Sequence, residues 1–101
     1  MNRLPLIALL VGTVSLAGTA RAAGDAAAGK AAASSCAMCH GATGEGTKMG
    51  PKLTGMDAAG FIQAMNDYKS GKRDNAMMKS QTSKLSANDV ANLAAYYGSL
   101  K

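Results

Sequence analysis

Both cysteines and the one histidine of this 101-residue chain fall within five positions, Cys36-Ala37-Met38-Cys39-His40. Two thiols three positions apart can each add to one vinyl group of a haem while the adjacent imidazole ligates the iron, so the run reads as a c-type haem attachment site. Three other chemistries compete for the same residues. Structural zinc usually takes four nitrogen or sulfur ligands, and this cluster offers three with only carboxylates elsewhere. A thiol redox pair calls for a βαβ setting, which a mostly helical chain does not provide. A structural disulfide gives no reason for His40 to follow the second cysteine.

The ligand opposite the imidazole separates a closed haem from an open one, because a methionine sulfur fills the position whereas a vacant position admits oxygen or peroxide. Met38 lies inside the attachment run and cannot readily reach the opposite face. Met49 and Met56 follow His40 closely, and Met65 falls in an apolar helical pattern where packing is its role. Met77 and Met78 remain, far enough downstream for the chain to travel round the haem edge. On the residues alone, both stay candidates.

The elements that must position these groups read as helices. Asp25 can cap an alanine-rich helix through about Ser34, interrupted in composition only by Gly29. Phe61, Ala64, Met65 and Tyr68 recur at helical spacing between about 58 and 70, and Gly71 is placed to end that helix. Ser86 with Asp89 makes a capping-box-like start, after which Val90, Leu93, Ala94, Tyr97 and Leu100 continue a stripe. No alternating strand pattern competes, so the expected class is all-α.

The first residues are of another kind. Asn2 and Arg3 precede an apolar run over residues 4–17, and Ala20-x-Ala22 supplies the small side chains read by a signal peptidase. The run is shorter than the roughly 20 residues a membrane-spanning helix needs. The pattern predicts a signal peptide over 1–22, export to a bacterial periplasm, a mature domain over 23–101, and no stable membrane anchor. Removing 22 of 101 residues leaves 79, and losing Arg3 and Arg21 lowers the formal charge from +5 to +3. A domain of that size is near the limit of what a polypeptide core supports alone, so a covalently tied apolar group would complete it.

Four segments then carry a resemblance in order: Ser35-Cys36-Ala37-Met38-Cys39-His40-Gly41, Gly50-Pro51-x-Leu53-x-Gly55, Tyr68-Lys69-Ser70-Gly71-Lys72-Arg73, and the tail that begins Leu85-Ser86-Ala87-Asn88-Asp89. Together they closely resemble the class I c-type cytochromes, in particular the small bacterial c-553-like branch. They also look like one half of the related di-haem periplasmic cytochromes; one attachment motif here implies a mono-haem form. The resemblance implies a small cytochrome c fold of three to five helices around one covalent haem c, with Cys36 and Cys39 as thioether residues and His40 as an axial ligand. Arg73-x-Asn75-x-x-Met78 and the spacing to Leu85 match the family's pattern for the second axial ligand at Met78, with Met77 displaced by one. The family's Gly-Pro-x-Leu segment implies that the Pro51 carbonyl accepts the other His40 ring N–H. A close crossing of first and last helices implies that Gly29 admits Leu93 or Tyr97.

The implied function is a periplasmic one-electron carrier rather than an enzyme, exchanging electrons with a protein donor and acceptor. Two alternatives share the fold: the haem subunit of a periplasmic oxidoreductase complex, and an open-site haem sensor or peroxidase. Lys48, Lys52, Lys69, Lys72, Arg73, Lys79 and Lys84 could form a basic rim that steers an acidic redox partner. Asp57, Asp67 and Asp74, interleaved with them, also fit an ordinary solvated surface. Nucleic acid is not an expected partner, since no basic run exceeds Lys72-Arg73. No extra hydrophobic stripe demands a dimer, so a monomer is expected.

Overall fold

The Asp25 carboxylate accepts hydrogen bonds from the backbone N–H groups of Ala27 and Ala28 at 2.9 and 3.3 Å, satisfying donors that a helix start leaves orphaned. It opens the first helix of the computed structural model, which describes residues 24–100; the leader assigned to 1–22 lies outside the described residues. Five helices and no strand occur among them: α1 (Ala26–Ala32), α2 (Ser34–His40), α3 (Ala58–Ser70), α4 (Ala76–Thr82) and α5 (Ala87–Ser99). The all-α expectation therefore holds, and no helix is long and apolar enough to cross a membrane among the described residues.

The expected first helix differs in extent. It stops at Ala33, whose φ of −74° and ψ of −7° flatten the helical path, and the chain restarts as α2, which carries the attachment run to its last residue. α3 begins at Asp57, whose side chain accepts from Gly60 N–H, and ends at Gly71 with φ 83°. α5 has the reciprocal capping box, with Ser86 and Asp89 each accepting the other's backbone N–H at 3.0 Å. α4 is an element the periodicity did not reveal. Residues 77 and 78 lie in its first turn, where the Asn75 side chain caps the helix by accepting from Met78 N–H at 3.0 Å.

Phe61 and Met65 of α3 and Val90, Leu93, Ala94 and Tyr97 of α5 are buried together, as their spacing requires. Tyr96, outside that stripe, is buried too. Its reason is the α1–α5 crossing. A Cβ at Gly29 would lie 2.0 Å from the Asn92 carbonyl oxygen and 2.8 Å from Tyr96 Cβ. The expectation that Gly29 admits Leu93 or Tyr97 is thus corrected: α1 meets the ridge of Asn92 and Tyr96, while Leu93 and Tyr97 face inward. Asn92 also ties the helices in another way, since its side-chain oxygen accepts from Asp25 N–H at 2.8 Å.

Gly29→Leu forces two backbones apart at this crossing, where no flexible side chain can yield. The expected loss is about 3 kcal/mol, at the upper end of ordinary overpacking. Thermal unfolding of the haem-loaded protein measures it, and an unchanged melting temperature contradicts the crossing described.

Candidate functional site

Helical geometry puts Cys36, Cys39 and His40 on adjoining positions of α2, because residues three and four apart share a face. All three line one cleft with Pro51, Met77 and Met78. Every residue singled out in the sequence for this chemistry is therefore brought to one place. The cleft is partly open to solvent. Phe61, Met65 and Leu53 supply much of its apolar wall.

His40 ends α2 and is 6% exposed. Its Nδ1 lies 2.7 Å from the Pro51 carbonyl oxygen. A carbonyl only accepts, so Nδ1 carries a proton, which leaves Nε2 as the ring nitrogen able to offer a lone pair to a metal. Position 50 makes this approach possible: a Cβ on Gly50 would sit 2.8 Å from Nδ1 and 2.9 Å from the Cys39 carbonyl oxygen. The loop is pinned to the end of α2 by Gly46 N–H donating to the His40 carbonyl at 2.7 Å and by the Thr47 hydroxyl donating to the Cys39 carbonyl. Thr47 was not singled out in the sequence; a lone threonine in a glycine-rich stretch carries no signal of the partner it will find.

The loop is also held by Glu45, whose carboxylate accepts from the Thr43 backbone N–H at 2.9 Å and the Thr43 hydroxyl at 2.8 Å. Its own backbone N–H and the Thr43 donors hold this carboxyl below the usual carboxylate range. On the cleft wall, burial pushes the Cys36 thiol up.

Met77 and Met78 differ in setting although both line the cleft. Met77 is 59% exposed, whereas Met78 packs against the hydrophobic core. The Met78 backbone is bonded at both ends, its N–H to the Asn75 side chain and its carbonyl to the Thr82 hydroxyl at 2.8 Å. Of the basic side chains, Lys48, Lys52, Lys72, Arg73, Lys79 and Lys84 are exposed. Lys69 is half-buried and donates to the Leu85 carbonyl, and Arg73 lies 5.5 Å above the Tyr68 ring. None of the seven lines the cleft.

Two thiols on one helical face, a tautomer-fixed imidazole, thioethers across an apolar cleft and a glycine cradle under the ring form a donor set suited to covalent haem. A helical domain with such a site is a haem protein of the c type. Residues 23–96 match the family described as cytochrome C oxidase, cbb3-type, subunit III. The chain is 45% identical to cytochrome c4 of Pseudomonas aeruginosa over all of its own length and 50% of that protein's. It is 40% identical to cytochrome c-554(548) of Halomonas halodenitrificans, over 76% of this chain and 98% of the relative. The solved structure of cytochrome c4 from Acidithiobacillus ferrooxidans superposes with a TM-score of 0.71 at 28% identity, covering 74% of this chain and 49% of that one. The chain thus spans about half the length of the cytochromes c4 it matches. It belongs to the class I c-type cytochromes, and its cofactor is covalently bound haem c.

Gly50→Ala should crowd the His40 ring and weaken its bond to Pro51, lowering the stability of the haem-loaded protein by about 1–3 kcal/mol in denaturant melts. A wild-type midpoint would show that the loop yields freely. The Glu45 carboxyl, depressed in the fold, contributes stability above its unfolded value of roughly 4.3, lost as pH falls through the lower folded value. The melting temperatures of wild type and Glu45→Gln should therefore differ near neutrality, and the difference should shrink as pH falls below the ordinary carboxylate range. A constant difference across that range would contradict the assignment.

Proposed function

We propose that this chain is a periplasmic one-electron carrier, not an enzyme, in which Cys36 and Cys39 hold the haem as thioethers and His40 and Met78 are the axial ligands. The observation that carries this reading is the convergence of these four side chains on one apolar-walled cleft. Cys36 and Cys39 would each hold haem through a carbon–sulfur bond to one vinyl substituent, with the thiol hydrogen placed on the neighbouring vinyl carbon, a redox-neutral addition that would consume no oxidant. The Pro51 carbonyl orients His40 and keeps Nε2 as the ligating nitrogen, raising its basicity. Met78 is preferred to Met77 because its backbone is anchored at N–H and carbonyl and its side chain packs inward, whereas Met77 is mostly exposed. Bound haem supplies a ferric/ferrous couple, and a methionine sulfur at the sixth position raises its potential and denies the iron to small ligands. The buried imidazole and anchored methionine need not move between the two states, which suits rapid electron exchange.

Export rests on the leader pattern of residues 1–22, whose removal after Ala22 would deliver the chain to the compartment where haem is attached in this family. The expected partners are a protein donor and a protein acceptor. Lys48, Lys52 and Lys79 adjoin the cleft residues Met49, Pro51 and Met78 in the chain and are exposed, which supports docking of an acidic redox protein near the cleft mouth. The carrier is read as a monomer with no nucleic-acid partner.

Replacing each methionine in turn tests the ligand set. Met78→Ala should abolish the sulfur-to-iron charge-transfer band of the ferric protein and lower the midpoint potential, while Met77→Ala keeps both. The reverse pattern transfers the ligand role to Met77, and retention of the band and potential in both variants contradicts the assignment of the ligand to either residue.

A further inference from the structure

The cleft wall is not wholly apolar. Outside α2, the polar side chains that line it among the described residues are Asn75, Gln81 and Tyr97, and no lysine or arginine does so. Asn75 spends its side-chain oxygen on the start of α4, where it accepts from Met78 N–H. Tyr97 is packed against aromatic rings, with centroids 5.9 Å from Phe61 and 5.0 Å from Tyr96. Gln81 is committed to neither kind of task. Its backbone carbonyl accepts from Lys84 N–H at 3.4 Å, but its side-chain amide makes no hydrogen bond among the described residues.

Position on the helix aims this amide. Gln81 lies three residues after Met78 in α4, so the two share a face, and both line the cleft. A long helical side chain leans toward the N-terminus of its helix, which carries Gln81 back over the turn of Met78. Half-buried, the amide keeps contact with water through the open part of the cleft. A haem filling that cleft displaces the water, and an amide left there without an acceptor is costly. The acceptor must then come from the group that displaces the water. Haem c offers few: its ring nitrogens are taken by the iron and its thioether sulfurs lie at the cysteines of α2, which leaves the two propionate carboxylates on the edge opposite the former vinyl groups. A carboxylate in a cleft without lysine or arginine depends on neutral donors, and the Gln81 amide nitrogen carries two N–H groups.

We propose that Gln81 is a haem-binding residue, donating a hydrogen bond from its side-chain amide to a propionate carboxylate of the covalent haem. This rests on attachment through Cys36 and Cys39, as proposed above, which sets the edge of the ring that faces away from α2. Negative charge beside the ring stabilises ferric iron, and a donated hydrogen bond offsets part of that charge. Gln81 should therefore raise the midpoint potential without touching the iron.

The test uses the haem-loaded Gln81→Leu protein beside wild type, each digested to locate haem and each examined by resonance Raman spectroscopy and redox titration. The expected result is haem on the peptide of Cys36 and Cys39 in both proteins, a shifted propionate bending mode in the variant, and a lower midpoint. An unchanged propionate mode overturns the role of Gln81 while leaving attachment intact. Haem absent from that peptide in wild type overturns attachment and this inference together. Should the variant fail to mature, proton NMR of the ferrous wild type decides. Gln81 amide protons close to the propionate methylene protons uphold the contact, whereas the same protons beside the Met78 methyl group, or beside neither, refute it.

Discussion

Phe61, Met65 and Tyr97 belong at once to the hydrophobic core and to the wall of the cleft. A domain this small cannot bury a separate core behind its site, because too much of its surface remains exposed. The same apolar faces must therefore serve packing between α3 and α5 and packing against the haem. Fold stability and cofactor retention are coupled by that shared wall. A substitution that loosens the α1–α5 crossing acts on the cleft through Tyr96 and Tyr97, although Gly29 does not line it.

The second requirement is orientation of groups that lie on short elements. α2 and α4 have seven residues each, and helices of that length are marginal without outside support. Side-chain and loop bonds provide it. Pro51, Thr47 and Gly46 tie the loop to the end of α2, and Asn75 with Thr82 brackets Met78 on α4. Among the described residues no buried side-chain nitrogen or oxygen lacks a partner. In a cleft of low polarity this matters, since an unpaired group there would compete for the bonds that orient His40.

Much of this was legible in the chain because the informative signals were local. The attachment run, the Asp25 cap, the Ser86–Asp89 box and the stripe of α3 each depend on residues within a few positions of one another. α4 was not legible: its sequence AMMKSQT has no apolar repeat, and only the Asn75 cap marked its start. Nor did periodicity show that Tyr96 is buried, since it lies off the inward stripe and owes its burial to the bare backbone of Gly29 on another helix. The crossing partners were displaced by one residue for the same reason. A stripe tells which residues face the core, whereas the ridge a neighbouring helix lies upon depends on the crossing itself. Thr47 shows a further limit, because a hydroxyl carries no record in sequence of the carbonyl it will meet.

The central claim is a closed haem that exchanges one electron and binds nothing at its iron. An anaerobic redox titration of the purified full-length protein, followed optically and completed by adding carbon monoxide to the ferrous form, tests it most directly. The account predicts one reversible single-electron transition between low-spin states and a ferrous spectrum unmoved by carbon monoxide. A high-spin spectrum, or one that shifts as the gas binds, would contradict it and establish an open site.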